Sequence, residues 1–573
     1  VARQYYCVHV TEPGTLKQLI IADKKNPAKI KNLKVSGTIS DEDFYFMRDE
    51  MAILEAVNLK ESKLVDIYVP EEWGTLPNGE WGILVEEGYH DDIIPVDAFN
   101  EKSNLVSFIF PEKVTKIGNR AFYNCSFLAG ALVIPDDVVE IGNYAFSGCK
   151  TLSSVQLSSK LEKIGLSAFA NCVSLSGRLD IPQNVSFIGS EAFLECHGLG
   201  GSLILPEKLT YLGATAFAKC SGFIGNLVIP ETLTDIYAST FIECRGFNGN
   251  LILHDNLTFH EGFGPHDNPG NWWPGNIFSC CGFQGELKLP SNIKEIPRDC
   301  FSCTSFSTIA GLPEGLLGIG DYAFYGASRL MGTIELPESL VRIGESAFSY
   351  CGQIQKLVLP SNLAVIQPET FLNCYQLSNI ICKSAIPPAI QSRAFDGVAK
   401  DNFTVEVPSS SVKRYQADPQ WSEFKRIYAH YDFSISRSLS RALNAQKSKT
   451  YILRAPANFN WSVESKPDWI TVTPSSGTGK TEVTITFDEM TPDKVGSFEA
   501  EILDQWGNYQ GTTTYNGRAG EIIFHLDDKD YRCNMTVEQY DYEYGDYEYN
   551  VMVSFVTIMS ALDAEIKVVL RQQ

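Results

Sequence analysis

A chain of 573 residues, 44% of them apolar, is long enough for more than one domain and for real hydrophobic cores. Its formal net charge of −22 argues against a nucleic-acid partner, because affinity for a phosphate backbone rests on Lys and Arg. No run of 18 apolar residues occurs, so no helix is expected to span a membrane; the longest apolar stretch, 551–562, soon meets Asp563 and Glu565.

The chain opens without a basic stretch leading into an apolar one, so Val1 reads as a mature or trimmed beginning, any signal sequence or lipid-anchor cysteine already removed. Tyr6, Val8 and Val10 alternate as a strand, Pro13-Gly14-Thr15 turns, 16–22 makes a short helix and 33–37 a second strand. Ser40 followed by Asp41, Glu42 and Asp43 starts a helix carrying Phe44, Met47, Met51, Leu54 and Val57 at helical spacing. Residues 1–60 are expected to cap the first coil of a repeat array. Residues 64–99 form an irregular first repeat, opening on Leu64-Val-Asp-Ile-Tyr-Val-Pro70, with an insertion containing Trp73 and Trp81. Its acidic cluster Glu86, Glu87, Asp91 and Asp92 reads as a solvated loop, since EF-hand spacing is absent; a calcium site is the alternative.

Between residues 105 and 395 one pattern recurs, L-x(2,3)-φ-x-φ-P…φ-x-x-I-G-x-x-A-F-x-x-C-x-x-L. The phenylalanine of the A-F step returns every 23 or 24 residues from Phe122 to Phe395, except for one interval of 37 between Phe241 and Phe278. A fixed period in the twenties marks a solenoid, whose units bury their apolar faces against their neighbours. In Leu203-Ile204-Leu205-Pro206 the alternation makes a short strand that the proline stops. Leu209, Leu212 and Gly213 give a second short extended piece, and Ala216-Phe217 turns the chain inward.

Counting back three residues from each opening Leu, Phe or Ile gives Cys125, Cys149, Cys172, Cys196, Cys220, Cys244, Cys280, Cys303, Ala327, Cys351 and Cys374. A position occupied by Cys or Ala wants a small apolar group, which predicts a buried ladder of free thiols; disulfides between coils and a metal site are the competing readings. Cys300 and Cys303 have CxxC spacing, but the count puts Cys303 in the ladder and Cys300 where other repeats carry Ala. The odd total of 15 Cys argues against a disulfide scaffold.

The long interval inserts His254, His260, Glu261, His266, Asp267, Trp272 and Trp273 into a histidine-poor chain. Beside it the outward strand positions Ile204, Val228 and Ile252 form an apolar stripe, where other repeats place Gln156, Asp180, Lys288 or Glu335. Insertions in a repeat map to loops on one face, often the binding face. Two readings compete. In one, the inserted loop folds over the stripe and its tryptophans cover it. In the other, loop and stripe form a pocket for a sugar or peptide, with Trp272, Trp273, His254, His260, His266, Ile204, Val228 and Ile252 as ligand-binding residues. A zinc site is a third reading, opposed by the lack of any i, i+4 histidine pair.

These repeats resemble the BspA-like leucine-rich repeats of surface proteins from gut and oral bacteria, over roughly residues 60–430. The resemblance implies a right-handed leucine-rich-repeat solenoid with parallel short strands, a cell-surface role in adhesion or ligand binding, and no enzymatic activity. The N-terminal order P-G-T-L, L-x-V-x-G and an acidic-start helix is similar to that family's cap. Ile386-Pro-Pro388, Ala394-Phe395, Val405-Glu-Val-Pro408, Tyr415, Trp421, Phe424 and Ile427 resemble its closing unit, in which a short helix plugs the last coil.

Beyond Asp432 seven alternating runs (450–453, 459–463, 470–473, 482–487, 498–503, 521–526 and 535–537) suggest a β-sandwich. Trp461-Ser-Val, Pro467-Asp-Trp469, Pro474-Ser-Ser-Gly477, Arg518-Ala-Gly-Glu-Ile-Ile and Val537-Glu-Gln539 resemble a BACON module, apart from a Tyr- and Gly-rich insertion at 506–517. That resemblance implies an immunoglobulin-like sandwich that binds carbohydrate or mucin, or serves as a spacer. The last 34 residues are expected at most to extend it as a hairpin. Gly479-Lys480-Thr481 mimics the end of a phosphate-binding loop, but Pro474 stands where a glycine is needed and a strand comes next. The sequence has no H-E-x-x-H, no nucleophile elbow and no Cys with a plausible His partner.

The reading is therefore mainly β, with a cap at 1–60, a solenoid at 61–430 and a sandwich at 431–573. The expected function is a non-enzymatic, monomeric binding protein, secreted or at the outer cell surface, without cofactor or metal. Its partner would be a host glycoprotein, an extracellular-matrix protein or a glycan. The alternative is a spacer that presents another surface module.

Overall fold

Each repeat closes into one coil whose short strands pair in parallel with those of the coils before and after it. One ladder runs through Ile93–Ile94, Lys116–Ile117, Glu140–Ile141, Lys163–Ile164, Phe187–Ile188 and Tyr211–Leu212. On the other strand side Gly130–Val133 pairs with Leu152–Gln156, and Leu227–Val228 with Leu251–Ile252. The computed structural model describes residues 3–75, 81–85, 87–265, 275–431, 434–435, 439–443, 448–488, 496–503, 509–527, 531–540 and 569–571. They form two units, 1–405 with 417–426, and 406–416 with 427–573.

The A-F turn supplies a third side. The residues two before and two after each phenylalanine adopt left-handed backbone, as at Arg120 and Asn124 (φ 52° and 54°) or Glu191 and Glu195 (φ 57° and 60°). Left-handed backbone costs an ordinary residue about 1 kcal/mol or more. Bonds between coils offset it: the amides of Arg120, Phe122 and Asn124 donate to the carbonyls of Asn143, Ala145 and Ser147 at 2.7–2.8 Å.

Inside, the phenylalanines stack face to face, fully buried, with interplanar angles of 3–19° from Phe122 to Phe395. Their spacing tracks the residue after the second strand. Where that residue is Gly142, Gly165, Gly189, Gly213, Gly320 or Gly344, centroids lie 5.1–5.5 Å apart. A Cβ at these glycines would fall 2.3–2.6 Å from the preceding coil. Where Tyr237, His260, Pro297 or Gln367 stands instead, the spacing opens to 5.7–5.8 Å; Gln391 is accommodated at 5.4 Å.

The thiol ladder exists, and its register needs one correction. Cys125, Cys149, Cys172, Cys196, Cys220, Cys244, Cys281, Cys351 and Cys374 are buried, and each Sγ donates to the carbonyl of an earlier coil's phenylalanine at 3.0–3.2 Å. Cys281 and Thr304, not Cys280 and Cys303, stand three residues after Phe278 and Phe301. These two coils have one residue fewer before Phe283 and Phe306, which shifts a count made backward from the strand. All the described cysteines are free thiols.

At the N-terminus the strand Tyr6–Val10 and the helix Leu16–Ala22 form as expected. The buried Asp43 carboxylate accepts from the amides of Gly14, Leu16 and Ser40 at 2.8–3.1 Å and ties the N-terminal ends of the two helices together. The second helix ends at Asp49, and Val57 lies in the strand Ala56–Leu64. Met51, Leu54 and Val57 are buried either way, so their spacing could not locate the helix end. The strands Tyr6–Val10, Asn32–Ile39, Ala56–Leu64 and Ser107–Ile109 form one parallel sheet. The segment after Leu64 is not the expected repeat strand: Ile67–Val69 pairs antiparallel with Gly88–His90 as part of the insertion. There Glu87 accepts the Tyr68 hydroxyl and Asp91 the Asp66 amide; Glu86 lies outside the described residues.

At the far end of the solenoid Trp421 is fully buried and its indole N–H donates to the Pro388 carbonyl at 2.8 Å. Phe424 packs edge-on against Phe395 at 5.5 Å.

In the second unit, one sheet orders Ser434–Ile435, Ser448–Arg454, Thr481–Phe487 and Ile470–Thr473. The other includes Tyr531–Tyr540, Tyr509–Leu526 and Asn460–Ser465. A single core holds Leu453, Val483 and Ile485 from the first with Trp461, Phe524 and Val537 from the second. Residues 509–517, within the insertion, belong to the strand Tyr509–Leu526 and pair with Gly496–Leu503.

Charge enters the solenoid wall at Glu140, which sits between Lys163 at 3.1 Å and Lys116 at 3.2 Å. Burial alone would raise its carboxyl, but the two ammonium groups outweigh that and hold it below the usual carboxylate range. A depressed folded-state pKa contributes stability above the unfolded value of about 4.3, lost as pH falls through the folded value. Glu140→Gln should therefore cost about 1 kcal/mol at pH 7, a deficit that shrinks toward zero in melts run at progressively lower acid pH.

Candidate binding surface

Strand alternation sets this surface: Leu203, Leu205, Leu227, Ile229 and Leu251 point inward and are buried. The residues between them must then face out. Ile204 and Val228 are each 51% exposed and Ile252, paired in register with Val228, is half-buried. Three successive coils thus carry a β-branched aliphatic column on the outside. Ile224, 50% exposed, adds to it four residues before Val228. Sequence reading missed Ile224, although Ile stands out among its nearest neighbours in that column, Ala129, Ser153, Ser176, Gly200 and Asn248.

The histidines are placed differently. His254 is half-buried and its Nε2 lies 3.1 Å from the Leu233 carbonyl oxygen. His260 Nε2 meets Asp235 at 2.6 Å, and its ring stacks on Tyr237 at 5.0 Å. That contact ends an aromatic row on the second-strand side, in which Phe187 stacks on Tyr211 at 4.7 Å and Tyr211 meets Tyr237 at 5.8 Å. Phe263 packs on this row. Gly264 passes so close that a Cβ there would fall 2.5 Å from the Tyr211 hydroxyl. The described start of the inserted segment therefore covers the aromatic row, not the aliphatic column. His266, Asp267, Trp272 and Trp273 lie outside the described residues.

A second aromatic group went unnoticed in the sequence. Tyr322 and Tyr325 meet at 5.8 Å, Tyr325 and Tyr350 at 5.3 Å, and the Arg298 guanidinium lies over Tyr322 at 4.9 Å. The signal was present as tyrosine two before, one after and two after successive turn phenylalanines.

The family model described as a BspA type leucine rich repeat region matches six copies, at residues 92–130, 129–248, 273–328 and 308–416, together more than half of the chain. The chain belongs to the BspA-type leucine-rich repeat family. A model described as a viral BACON domain matches residues 433–505. Among solved structures, these BspA-type repeats are similar to a leucine-rich repeat protein from Bacteroides ovatus, at 21% identity over 71% of this chain and 85% of that one, with a TM-score of 0.39. A leucine rich cell surface protein from Faecalibacterium prausnitzii matches at 20% identity over 63% and 95%, TM-score 0.33. The pneumococcal vaccine antigen PcpA matches at 17% over 56% and 85%, TM-score 0.33. No curated protein matches. BspA-type repeat proteins are non-enzymatic cell-surface proteins with a role in interaction or adhesion, so the exposed faces of the coils are where function is to be sought.

Proposed function

We propose that this protein is an adhesion protein, without catalytic activity, that grips an extended partner, a host glycoprotein or extracellular-matrix protein, along the outer strand face of its coils. The observation that carries this reading is the aliphatic column Ile204, Val228 and Ile252, on three consecutive coils flanked by Asp180 on the coil before and Lys288 on the coil after. Contiguous exposed apolar surface rimmed by polar residues is characteristic of interaction sites. A column repeated at the coil spacing suits an extended protein segment better than a single sugar. His254 borders the column, and Trp272, Trp273 and His266 are proposed to belong to the same region on sequence grounds, whereas His260 lies with the aromatic row.

The test is binding of the intact protein to an array of matrix proteins, glycoproteins and glycans, with Ile204→Asp/Val228→Asp and Trp272→Ala/Trp273→Ala variants beside it. The aspartate pair is expected to weaken a hit at least tenfold, since it places two carboxylates where apolar contact is needed. Undiminished binding by that variant would rule the column out. Silence of the folded wild type on every ligand would favour the spacer reading instead.

A further inference from the structure

Cys280 and Cys303 are set apart from the buried ladder by their place in the coil. Each stands two residues after its turn phenylalanine, with left-handed backbone at φ 56°. Cys303 is exposed and Cys280 half-exposed. Residues in this column face one another across coils, as Glu195 and Lys219 do in an ion pair of 2.7 Å. Farther along the same column, beyond Glu243, Cys280 and Cys303 are such neighbours, and each thiol influences the other's acidity. The coils are held in register on both sides of the pair: the Cys280 amide donates to the Ser302 carbonyl at 2.8 Å, and the Ser279 and Ser302 hydroxyls are 2.7 Å apart. Strands of adjacent coils lie about 4.8 Å apart, inside the window of roughly 4.4–6.8 Å between Cα atoms that a disulfide requires. On the next coil the equivalent residue is Gly326, which has no side chain to cover Cys303.

We propose that Cys280 and Cys303 are a redox-active pair that closes into a disulfide between adjacent coils by exchange with a low-molecular-weight disulfide. The Cys280 thiolate attacks one sulfur of the small disulfide, giving a mixed disulfide and releasing one small thiolate. Cys303 then loses its proton and attacks the Cys280 sulfur, releasing the second. Two protein thiols are oxidised and one small disulfide is reduced to two thiols, so atoms and electrons balance. The order of attack reflects the surroundings. The Cys303 hydrogen bond, opposed by partial burial and aided by the Ser279 hydroxyl and Arg245, lowers the Cys280 thiol to about 6, despite Glu243 nearby. Cys303 is raised by the same bond and by burial. Ladder thiols such as Cys172 are pushed up to about 12 by burial and have no such route. A lowered thiol pKa at a partly exposed site marks a reactive cysteine.

The test incubates the folded full-length protein with glutathione disulfide near neutral pH and maps the products by peptide mass spectrometry, with exposed Cys7 as the internal reference. The expected product is a Cys280–Cys303 link with loss of two hydrogens, all ladder cysteines remaining free. In Cys303→Ser a stable mixed disulfide should collect on Cys280. In Cys280→Ser, Cys303 should react no faster than Cys7. The proposal is overturned if Cys7 is modified while Cys280 and Cys303 stay unlinked, or if the link joins either one to Cys281 or Cys300.

Discussion

Phe193→Ala is expected to cost about 3–5 kcal/mol of unfolding free energy, as truncation of a buried Phe generally does. The ring is fully buried and lies nearly parallel between Phe169 at 5.4 Å and Phe217 at 5.3 Å. A stacked repeat is stabilised through its nearest neighbours, so the deletion weakens two interfaces at once. Denaturant unfolding monitored by circular dichroism reads the loss. A cost below about 1 kcal/mol would mean that the ring column is not what holds the coils together.

The second large effect is expected from a single methyl group. In Gly165→Ala the added Cβ would fall 2.6 Å from the Gly142 carbonyl carbon and 2.7 Å from the Asn143 nitrogen. Both are backbone atoms, so no side chain can swing away and the coils must separate. Overpacking of this kind costs about 1–3 kcal/mol. The coil at Tyr237 shows that separation is feasible, with its phenylalanine rings 5.8 Å apart. Thermal melts of the two proteins decide it: an unchanged midpoint would show that the gap closes without strain.

Much of this fold was legible because the repeat reports its own register. The turn phenylalanine is fixed by its neighbours on both sides, and its count held through every coil. The cysteine count slipped at Cys281 because it was anchored on the strand, from which two coils had lost a residue. What identifies the true ladder member is a hydrogen bond from Sγ to the Phe241 carbonyl, which no spacing displays. Ile204 and Val228 were found because alternation alone decides which residues face outward. His260 could not be placed that way, since its hydrogen bond with Asp235 and stacking on Tyr237 join residues more than twenty apart in sequence. The helix end at Asp49 was missed because a helix and the strand after it can bury the same side chains.

The widened spacing around Tyr237, His260 and Pro297 bears on how the solenoid opens. Coils from Phe122 to Phe217 stack at 5.1–5.4 Å and those from Phe301 to Phe348 at 5.2–5.5 Å, with three looser junctions between them. In a one-dimensional stack, cooperativity is only as strong as its weakest junction. The loose stretch should therefore divide the solenoid into two blocks that unfold in separate steps. In native-state hydrogen exchange, the amides of Phe241 and Phe278, bonded to Ile277 and Cys300, would be released at lower free energy than those of Phe146 and Phe193.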